Sequence, residues 1–223
     1  MDRFPYIRTL LNIRLDMLEE VKTIIDVGAY DGVYAGELGR EYPSAKVHAI
    51  EPCEHLWKLI TKNTSNNVIL HKLAIHDTEG KIKLFQEKSI GVDKKPSQSN
   101  TIIKAESHGL NKEVEVISKP FSIFCKENKI NDIDLLLINA EGAEYKMFFD
   151  KYSIEYILKC KIIDLSMHGK SNYFNSVEYA KKRYDINKCL KDSGYNLLFG
   201  DFIDSKENLA ARHIRQVWTK GVR

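Results

Sequence analysis

Residues 23–32, with the sequence TIIDVGAYDG, constrain the fold more than any other part of this chain. An apolar, β-branched run carries Asp26 near its end, and Gly28 and Gly32 bracket a short turn before a helical pattern that starts at Val33. A strand that enters a helix through a glycine-rich turn is typical of α/β domains that bind nucleotide-like ligands. Because glycine lacks a Cβ atom, we expect the backbone amides of this turn to approach a ligand closely.

A second acidic residue ends the next apolar segment. Glu51 follows residues 46–50 and lies nineteen positions after Gly32, where a carboxylate can accept both hydroxyls of a ribose. The turn has the spacing GxxxG and lacks the third glycine of the dinucleotide fingerprint GxGxxG. A glycine turn of this kind can also be needed only for the topology of the sheet, without binding a ligand. We favour a ligand, because adjacent strand ends at a topological switch point are where such sheets bind one.

Strand-like and helix-like segments alternate along the chain, which predicts an α/β fold with a parallel sheet and right-handed crossovers. Strand patterns occur at residues 23–28, 46–51, 68–75, 81–85, 114–117, 133–138, 161–167, 195–199 and 214–219. Helical patterns occur at residues 6–22, from 33 to before Pro43, at 54–63, 120–129, beyond 144 and at 175–192. We therefore predict an N-terminal helical cap over residues 1–22 and one doubly wound, Rossmann-like domain over residues 23–223. The short link between the last two strands predicts an antiparallel hairpin at one sheet edge.

Composition excludes several classes of function. The 223 residues carry a formal net charge of only +3, which argues against a nucleic-acid or membrane partner. The four cysteines are far apart and form no CxxC pair, so we expect reduced thiols and no thiolate zinc site. The N-terminus lacks the apolar core of a signal peptide, and no apolar run is long enough to span a bilayer. A cytoplasmic protein is the expectation.

Four motifs together resemble the FkbM family of methyltransferases. They are DVGAYDG at residues 26–32, IEP at 50–52, LAIHD at 73–77 with Gly80 after it, and IDLLLINAEGAE at 133–144. The similarity covers residues 23–150 and extends more loosely to about residue 200. The resemblance implies a mostly parallel seven-stranded sheet with an antiparallel edge strand. It also implies transfer of a methyl group from S-adenosylmethionine, usually to a hydroxyl of a small molecule, sugar or natural product.

The resemblance also implies roles for individual residues. The turn after the first strand holds the methionine part of the cofactor, Glu51 with Pro52 holds the ribose, and Asn139 faces the amino or methyl end. The residues implied in cofactor binding are Asp26, Gly28, Ala29, Tyr30, Asp31, Gly32, Glu51, Pro52, Ala74, Ile75 and Asn139, with Asp77 also flanking the adenine. The chain departs from the family at Tyr30, where asparagine is frequent, and at Asn139, where aspartate is more frequent. Since asparagine is neutral, the second departure weakens the case for a metal-assisted reaction. It also leaves open that the methyl acceptor is an amide or an amine.

His168, Glu141 and Asn139 are the candidate catalytic residues. His168 follows a buried strand, has a suitable unperturbed pKa, and is expected to deprotonate or orient the acceptor, although a structural histidine is an alternative. Glu141 and Glu144 start a helix, where acids also complement the helix dipole. The resemblance places Glu141 beside the donor site. Asn139 can alternatively satisfy the backbone of its turn.

The acceptor pocket and a metal are less defined by the sequence. Ser99, Glu144 and Tyr173 are the candidate substrate-binding residues, and the loop and wall around them include Ser97, Asn100, Thr101 and Phe174. No metal is expected; the alternative is a divalent cation among Glu141, Glu144 and Asp164. His71 and His76 are interpreted as structural.

The leading interpretation is an O-methyltransferase that acts on a small molecule or saccharide. The runner-up is an N-methyltransferase acting on an amide or a peptide side chain, and a non-catalytic cofactor-binding subunit is a third possibility. An NAD-dependent oxidoreductase is disfavoured by the missing glycine. We expect no nucleic-acid or membrane partner, and the sequence gives no indication of the oligomeric state.

Overall fold

The computed structural model describes residues 15–86, 112–168, 176–201 and 213–221. The strands are β1 (Thr23–Val27), β2 (Lys46–Ile50), β3 (Val68–His71), β4 (Ala74–Ile75), β5 (Gly80–Gln86), β6 (Lys112–Lys119), β7 (Leu135–Ile138), β8 (Ile162–His168), β9 (Asn196–Phe199) and β10 (His213–Thr219). The helices are α1 (Val33–Glu41), α2 (Glu54–Asn63), α3 (Phe121–Glu127), α4 (Ala143–Phe149), α5 (Ser153–Ile157) and α6 (Ser176–Asp192).

Seven strands form the main sheet in the order β3-β2-β1-β7-β8-β10-β9. The first five are parallel to one another, and β10 is antiparallel to both β8 and β9. The predicted Rossmann-like α/β fold, its mostly parallel seven-stranded sheet and its antiparallel hairpin are confirmed. The structure adds that β10 inserts between β8 and β9, so that β9 is the outermost strand.

The central strands are buried on both faces, which explains why they appear in the sequence as continuous apolar runs. Ile25, Leu136 and Ile163 are in register across β1, β7 and β8 and belong to the core on one face. The residues one position earlier, Ile24, Leu135 and Ile162, belong to the core on the other face. Full burial of an isoleucine or leucine side chain contributes about 1.5–3 kcal/mol, so this double layer holds the strand ends rigidly.

The predicted strand 68–75 is divided in the structure. Its first part, β3, pairs with β2, whereas Ala74 and Ile75 pair with Ser118 and Lys119 of β6 in a separate sheet of order β4-β6-β5. The predicted segments at 81–85 and 114–117 are the two long strands of that sheet. This small sheet places β4 beside α4, and Ile75 belongs to the same core cluster as Val27 and Ile50 at the ends of β1 and β2.

The predicted helical cap lies largely outside the described residues. Leu15 and Asp16 are helical, and the Leu15 side chain is fully buried. The Tyr42 hydroxyl donates a hydrogen bond to Asp16 Oδ1 at 3.0 Å. In the described parts of the chain, no helix has both the length and the apolar character that crossing a membrane requires.

Two histidines form a stacked pair between β2 and β3. The His48 and His71 rings lie 5.1 Å apart, with His48 Nδ1 2.9 Å from His71 Nε2, and the edge of each contacts Phe124. One ring donates and the other accepts, so the accepting ring is neutral, and burial lowers the pKa of both histidines and so favours the neutral form of each. Burial, followed by the charges of His71 and Lys46, lowers the pKa of His48 to about 4.

This pair predicts acid sensitivity. A lowered pKa in the folded state means that no stability is lost above pH 6.5, and that stability falls as the pH decreases from 6.5 toward 4. The unfolding free energy of wild type is expected to fall between pH 7 and pH 4.5. In His48→Gln we expect this fall to be about 2 kcal/mol smaller, as measured by urea denaturation at the two pH values. His55→Gln, at an exposed position on α2, is the comparison: partial burial lowers the pKa of His55 less than that of His48, so a smaller change in pH slope is expected. Equal pH slopes for wild type and His48→Gln would contradict the prediction.

Candidate functional site

The carboxyl ends of β1, β2, β7 and β8 meet at one edge of the sheet. Backbone hydrogen bonds continue beyond the strands and tie their turns together: Gly28 N donates to the Ile50 carbonyl at 3.0 Å, and Asn139 N donates to the Val27 carbonyl at 3.0 Å. Most sequence-predicted site residues in the described part of the chain lie in these turns. The edge is therefore the candidate site.

The turn after β1 depends on left-handed backbone conformations. Gly28, Tyr30 and Gly32 have φ values of 89°, 52° and 74°. A Cβ atom on Gly28 would collide with the Asn139 carbonyl, and one on Gly32 would lie 2.8 Å from Ile60 Cα. The missing Cβ atoms thus face the chain itself, and the two glycines allow the turn to pack against the end of β7 and against α2.

Glu51 connects the turn after β1 to the turn after β2. Its Oε2 accepts a hydrogen bond from Tyr30 N at 3.0 Å, and its Oε1 accepts one from Cys53 N at 2.9 Å. The side chain is buried, and burial raises its pKa although these hydrogen bonds oppose the increase. Because each carboxylate oxygen has two lone pairs, Glu51 can accept further hydrogen bonds from ribose hydroxyls. The residue therefore fits its predicted role.

Asp26 lies buried in a cluster of acids on the α1 face of the sheet. Burial, and then the negative charges of Asp164 and Glu51, raise its pKa to about 7, although Arg215 opposes the increase. Arg215 Nε donates to Asp164 Oδ1 at 2.8 Å. The cluster therefore favours the protonated form of Asp26 far more than water does.

The other residues predicted for the cofactor have structural partners. Asp31 Oδ1 accepts a hydrogen bond from Val33 N at 3.1 Å in the first turn of α1, and Ala29 N donates to the Ile50 carbonyl at 3.1 Å. Ala74 and Ile75 are buried in β4, and Pro52 is half-buried between Glu51 and α2. Asp77 accepts a hydrogen bond from Lys146 Nζ at 2.8 Å. Asp31, Ala29 and Pro52 thus belong to the turns at the edge of the main sheet, whereas Ala74 and Ile75 belong to the small sheet.

His168 lies between two glutamates at the end of β8. Its Nε2 is 3.0 Å from Glu141 Oε1, and its Nδ1 is 2.9 Å from Glu144 Oε1. Its backbone N also donates to Glu144 Oε1 at 2.9 Å, and Gly142 N donates to Glu144 Oε2 at 2.7 Å. The three side chains form one hydrogen-bonded unit, the Glu-His-Glu cluster, built from the ends of two adjacent strands.

The cluster keeps His168 charged. Burial lowers the pKa of His168, but the hydrogen bonds to Glu141 and Glu144 outweigh this effect and raise the pKa to about 10. At neutral pH both ring nitrogens therefore donate, and the cluster carries one net negative charge. The side chains of Glu141, His168 and Glu144 are 31%, 12% and 0% exposed, so Glu141 is the member most open to a ligand.

Glu141 adopts a left-handed conformation, with φ of 43°. Such a conformation is uncommon for a residue with a side chain and often occurs at functional sites. It precedes Gly142, whose φ of 108° starts α4. The strained turn directs the Glu141 carboxylate to His168 across the end of the sheet.

The structure bears on one predicted substrate-binding residue and on the alternative cation set. Glu144 was expected to bind substrate, but its side chain is fully buried and its carboxylate is occupied by His168 and Gly142. The alternative cation set is not assembled, because Asp164 pairs with Arg215 while both glutamates pair with His168. Within the described ranges, no group of three or more potential ligand side chains is arranged to hold a metal ion.

Some predicted residues cannot be placed, and some contacts were missed. Ser99 and Tyr173 lie outside the described residues, as do Ser97, Asn100, Thr101 and Phe174. Asn139 is exposed at the end of β7. Sequence analysis missed Arg215 and Tyr145, whose hydroxyl donates to the His168 carbonyl, because nothing in their local patterns distinguishes them from ordinary core positions.

Comparison with known proteins yields one family and several distant structural likenesses. The model of the Methyltransferase FkbM domain matches residues 26–197. No protein of curated function matches the chain.

Among solved structures, Methanococcus jannaschii fibrillarin is 12% identical, with a TM-score of 0.46 over 92% of this chain and 68% of that one. TrmK of M. capricolum, in complex with S-adenosyl-homocysteine, is 10% identical, with a TM-score of 0.48 over 95% and 67%. Precorrin-6y C5,15-methyltransferase of Geobacter metallireducens is 14% identical, with a TM-score of 0.44 over 96% and 88%.

Proposed function

This chain belongs to the FkbM family of methyltransferases, and on that premise we propose that it transfers the methyl group of S-adenosylmethionine to a hydroxyl of a small molecule or saccharide. The observation that supports a hydroxyl acceptor is the Glu-His-Glu cluster at the same edge of the sheet as the glycine turn. A hydroxyl must lose its proton as it attacks, and a cluster with one net negative charge can take that proton up.

The residues of the sheet edge fit the cofactor. Glu51 is a buried carboxylate with remaining lone pairs for ribose hydroxyls, and Asp26 is an acid beside the turn that would hold the methionine part. When bound, S-adenosylmethionine supplies a methyl group that its sulfonium has already activated. The protein's contribution is therefore to hold the acceptor in line and accept its proton. Positioning alone can lower a barrier by about 7–11 kcal/mol.

We propose Glu141 rather than His168 as the base. An imidazolium whose two nitrogens both donate has no lone pair with which to accept a proton. Glu144 is fully buried and unable to reach an acceptor. Glu141 remains, and His168 orients it while Glu144 orients His168 in turn. A positioned base of this kind typically contributes about 10²–10⁴-fold in rate.

A second function is favoured by Asn139 alone. This neutral, exposed amide at the end of β7 cannot act as a base, and it can hydrogen-bond to an amide or amine acceptor. N-methylation is therefore the second proposal.

We propose a small-molecule acceptor rather than a nucleic acid because the net charge of +3 provides little attraction for phosphates. Four free cysteines support a reducing, cytoplasmic location.

The test is methyl transfer from S-adenosylmethionine carrying a deuterated methyl group. The full chain is incubated with pooled sugars, hydroxylated metabolites and short peptides, and labelled products are located by mass spectrometry. Label on oxygen is expected, and label on nitrogen would support the second proposal. If no label is transferred and S-adenosylhomocysteine does not bind, both proposals are wrong.

We expect Glu51→Gln to weaken the binding of S-adenosylhomocysteine about 10–100-fold by calorimetry. The substitution removes a charged acceptor, and a hydrogen bond to a charged group contributes about 1.5–3 kcal/mol. The glutamine oxygen still accepts one backbone amide, which limits damage to the fold. Glu54→Gln, at an exposed position on α2, is the matched control. Unchanged affinity in Glu51→Gln would exclude Glu51 from the ribose site.

A further inference from the structure

Arg183 is a buried cation that the proposed mechanism does not use. It lies in the middle of α6, and its side chain is 1% exposed. Its Nε, Nη1 and Nη2 atoms are all buried, and none makes a hydrogen bond within the part of the chain that the structure describes. A guanidinium carries five N–H donors and stays protonated in proteins. Five buried donors that have no regular hydrogen bond, and only a weaker contact with the Tyr145 hydroxyl, are a strong departure from the usual satisfaction of buried polar groups.

The position of Arg183 next to the candidate site makes this departure informative. Burial raises the pKa of the Tyr145 hydroxyl, and the charge of Arg183 and its hydrogen-bonding contact with that hydroxyl oppose the increase. The same hydroxyl donates to the His168 carbonyl, and the Tyr145 ring packs edge-on against Tyr179 at 4.7 Å, one helical turn before Arg183. The Tyr145 side chain therefore links the guanidinium to the end of β8.

A buried charge without a partner is costly, and an apolar side chain of similar volume would be tolerated better. Carboxylates and phosphates are the groups that match a guanidinium, because they accept two parallel hydrogen bonds from it. In the described residues, the nearby carboxylates of the Glu-His-Glu cluster are hydrogen-bonded to His168 and give Arg183 no such bond. An anionic group is therefore the kind of acceptor that best matches the Arg183 donors.

We propose that Arg183 is the subsite for an anionic group, a carboxylate or phosphate, on the methyl acceptor. The proposal rests on the proposed function and narrows it to acidic acceptors, such as uronic acids, hydroxy acids and sugar phosphates. The guanidinium binds the anion on the α6 side of Tyr145, and the acceptor hydroxyl extends past the end of β8 to Glu141. Neutral sugars that lack the anion are then poor substrates.

The competing explanation is that Arg183 only balances the net negative charge of the Glu-His-Glu cluster through space. The two roles differ in what Arg183→Met does. As a balancing charge, Arg183 would stabilise the fold and bind no added anion. As a subsite kept for function, it binds anions, and its replacement by methionine leaves the melting temperature unchanged or higher.

The test is calorimetric titration of the full chain, saturated with S-adenosylhomocysteine, with inorganic phosphate, D-glucuronate and neutral glucose at constant ionic strength. Wild type is expected to bind phosphate or glucuronate saturably and glucose at least ten-fold more weakly. Which of the two anions binds identifies the group on the acceptor. Arg183→Met is expected to lose this binding, and Lys181→Met, which removes the same charge from an exposed position on α6, is expected to retain it.

The proposal is wrong if neither anion binds wild type saturably, or if Arg183→Met binds as well as wild type. It is also wrong if Arg183→Met lowers the melting temperature and wild type binds no anion, the result for a balancing charge. If Arg183→Met does not fold, Arg183→Lys, which keeps the charge, replaces it in the titration. Arg183→Lys is expected to bind the anion saturably but more weakly than wild type. The binding of S-adenosylhomocysteine to wild type is measured separately. If wild type does not bind it, the proposed function is wrong; if wild type binds it but binds neither anion, only the Arg183 proposal is wrong.

Discussion

Replacing Glu141 by glutamine is expected to lower kcat about 10²–10⁴-fold, while the affinity for S-adenosylhomocysteine changes less than about three-fold. Glutamine has the same shape and can keep the turn at the end of β7, but its amide cannot take a proton from a hydroxyl. The loss is expected in kcat rather than in KM, because the proton moves only as the acceptor attacks.

The result must be separated from damage to the cluster. Glu141→Gln leaves the charged His168 with Glu144 as its only carboxylate partner in the cluster, so the pKa of His168 is expected to fall from about 10. Circular dichroism and the melting temperature check that the fold survives. Glu127→Gln, which breaks the surface pair with Lys119, is the control for losing an ion pair far from the chemistry. A kcat within three-fold of wild type would mean that Glu141 is not the base.

Much of the main sheet could be predicted because its strands are signalled locally. The buried runs at β7 and β8 are apolar on both faces, so their patterns need no knowledge of partners. Helix α2, predicted at residues 54–63, has those bounds in the structure. Its apolar positions recur at helical spacing, and Pro52 precedes its start.

The parts that were missed depend on distant partners. Residues 68–75 have one continuous strand pattern, and the division after His71 exists because β6, about forty residues later, pairs with Ala74 and Ile75. The insertion of β10 between β8 and β9 likewise depends on which strands pair with each other, and the alternation of apolar and polar side chains does not encode strand pairing. Local patterns state that a strand forms and leave its neighbours open.

The candidate site shows the same division. Glu141 and His168 each follow a predicted strand of the parallel sheet. Their position at the same edge of that sheet could therefore be predicted. The charge of His168 did not follow, because it depends on two carboxylates that reach it from the end of another strand. A histidine at a strand end has a suitable pKa in isolation, and its neighbours turn it into a donor that positions the base.

Replacing Glu144 by glutamine is expected to destabilise the fold by about 3–5 kcal/mol, the usual cost of removing one partner from a buried ion pair. Both Glu144 oxygens accept hydrogen bonds, from the His168 ring and backbone N and from Gly142 N. The amide of glutamine would place N–H donors opposite at least one of these donors. For a chain of this size, the loss corresponds to a decrease in melting temperature of about 10 °C.

The pH dependence and a double substitution distinguish this cause from a general packing defect. Because the pKa of His168 is raised to about 10, its pairing stabilises the fold fully below pH 6.5 and less as the pH rises toward 10. The difference in unfolding free energy between wild type and Glu144→Gln, measured in urea, should therefore be largest below pH 6.5. His168→Gln combined with Glu144→Gln should cost less than the sum of the two single substitutions, since the pair is then removed together. Additive costs, or a difference independent of pH, would show that Glu144 does not act through the charge of His168.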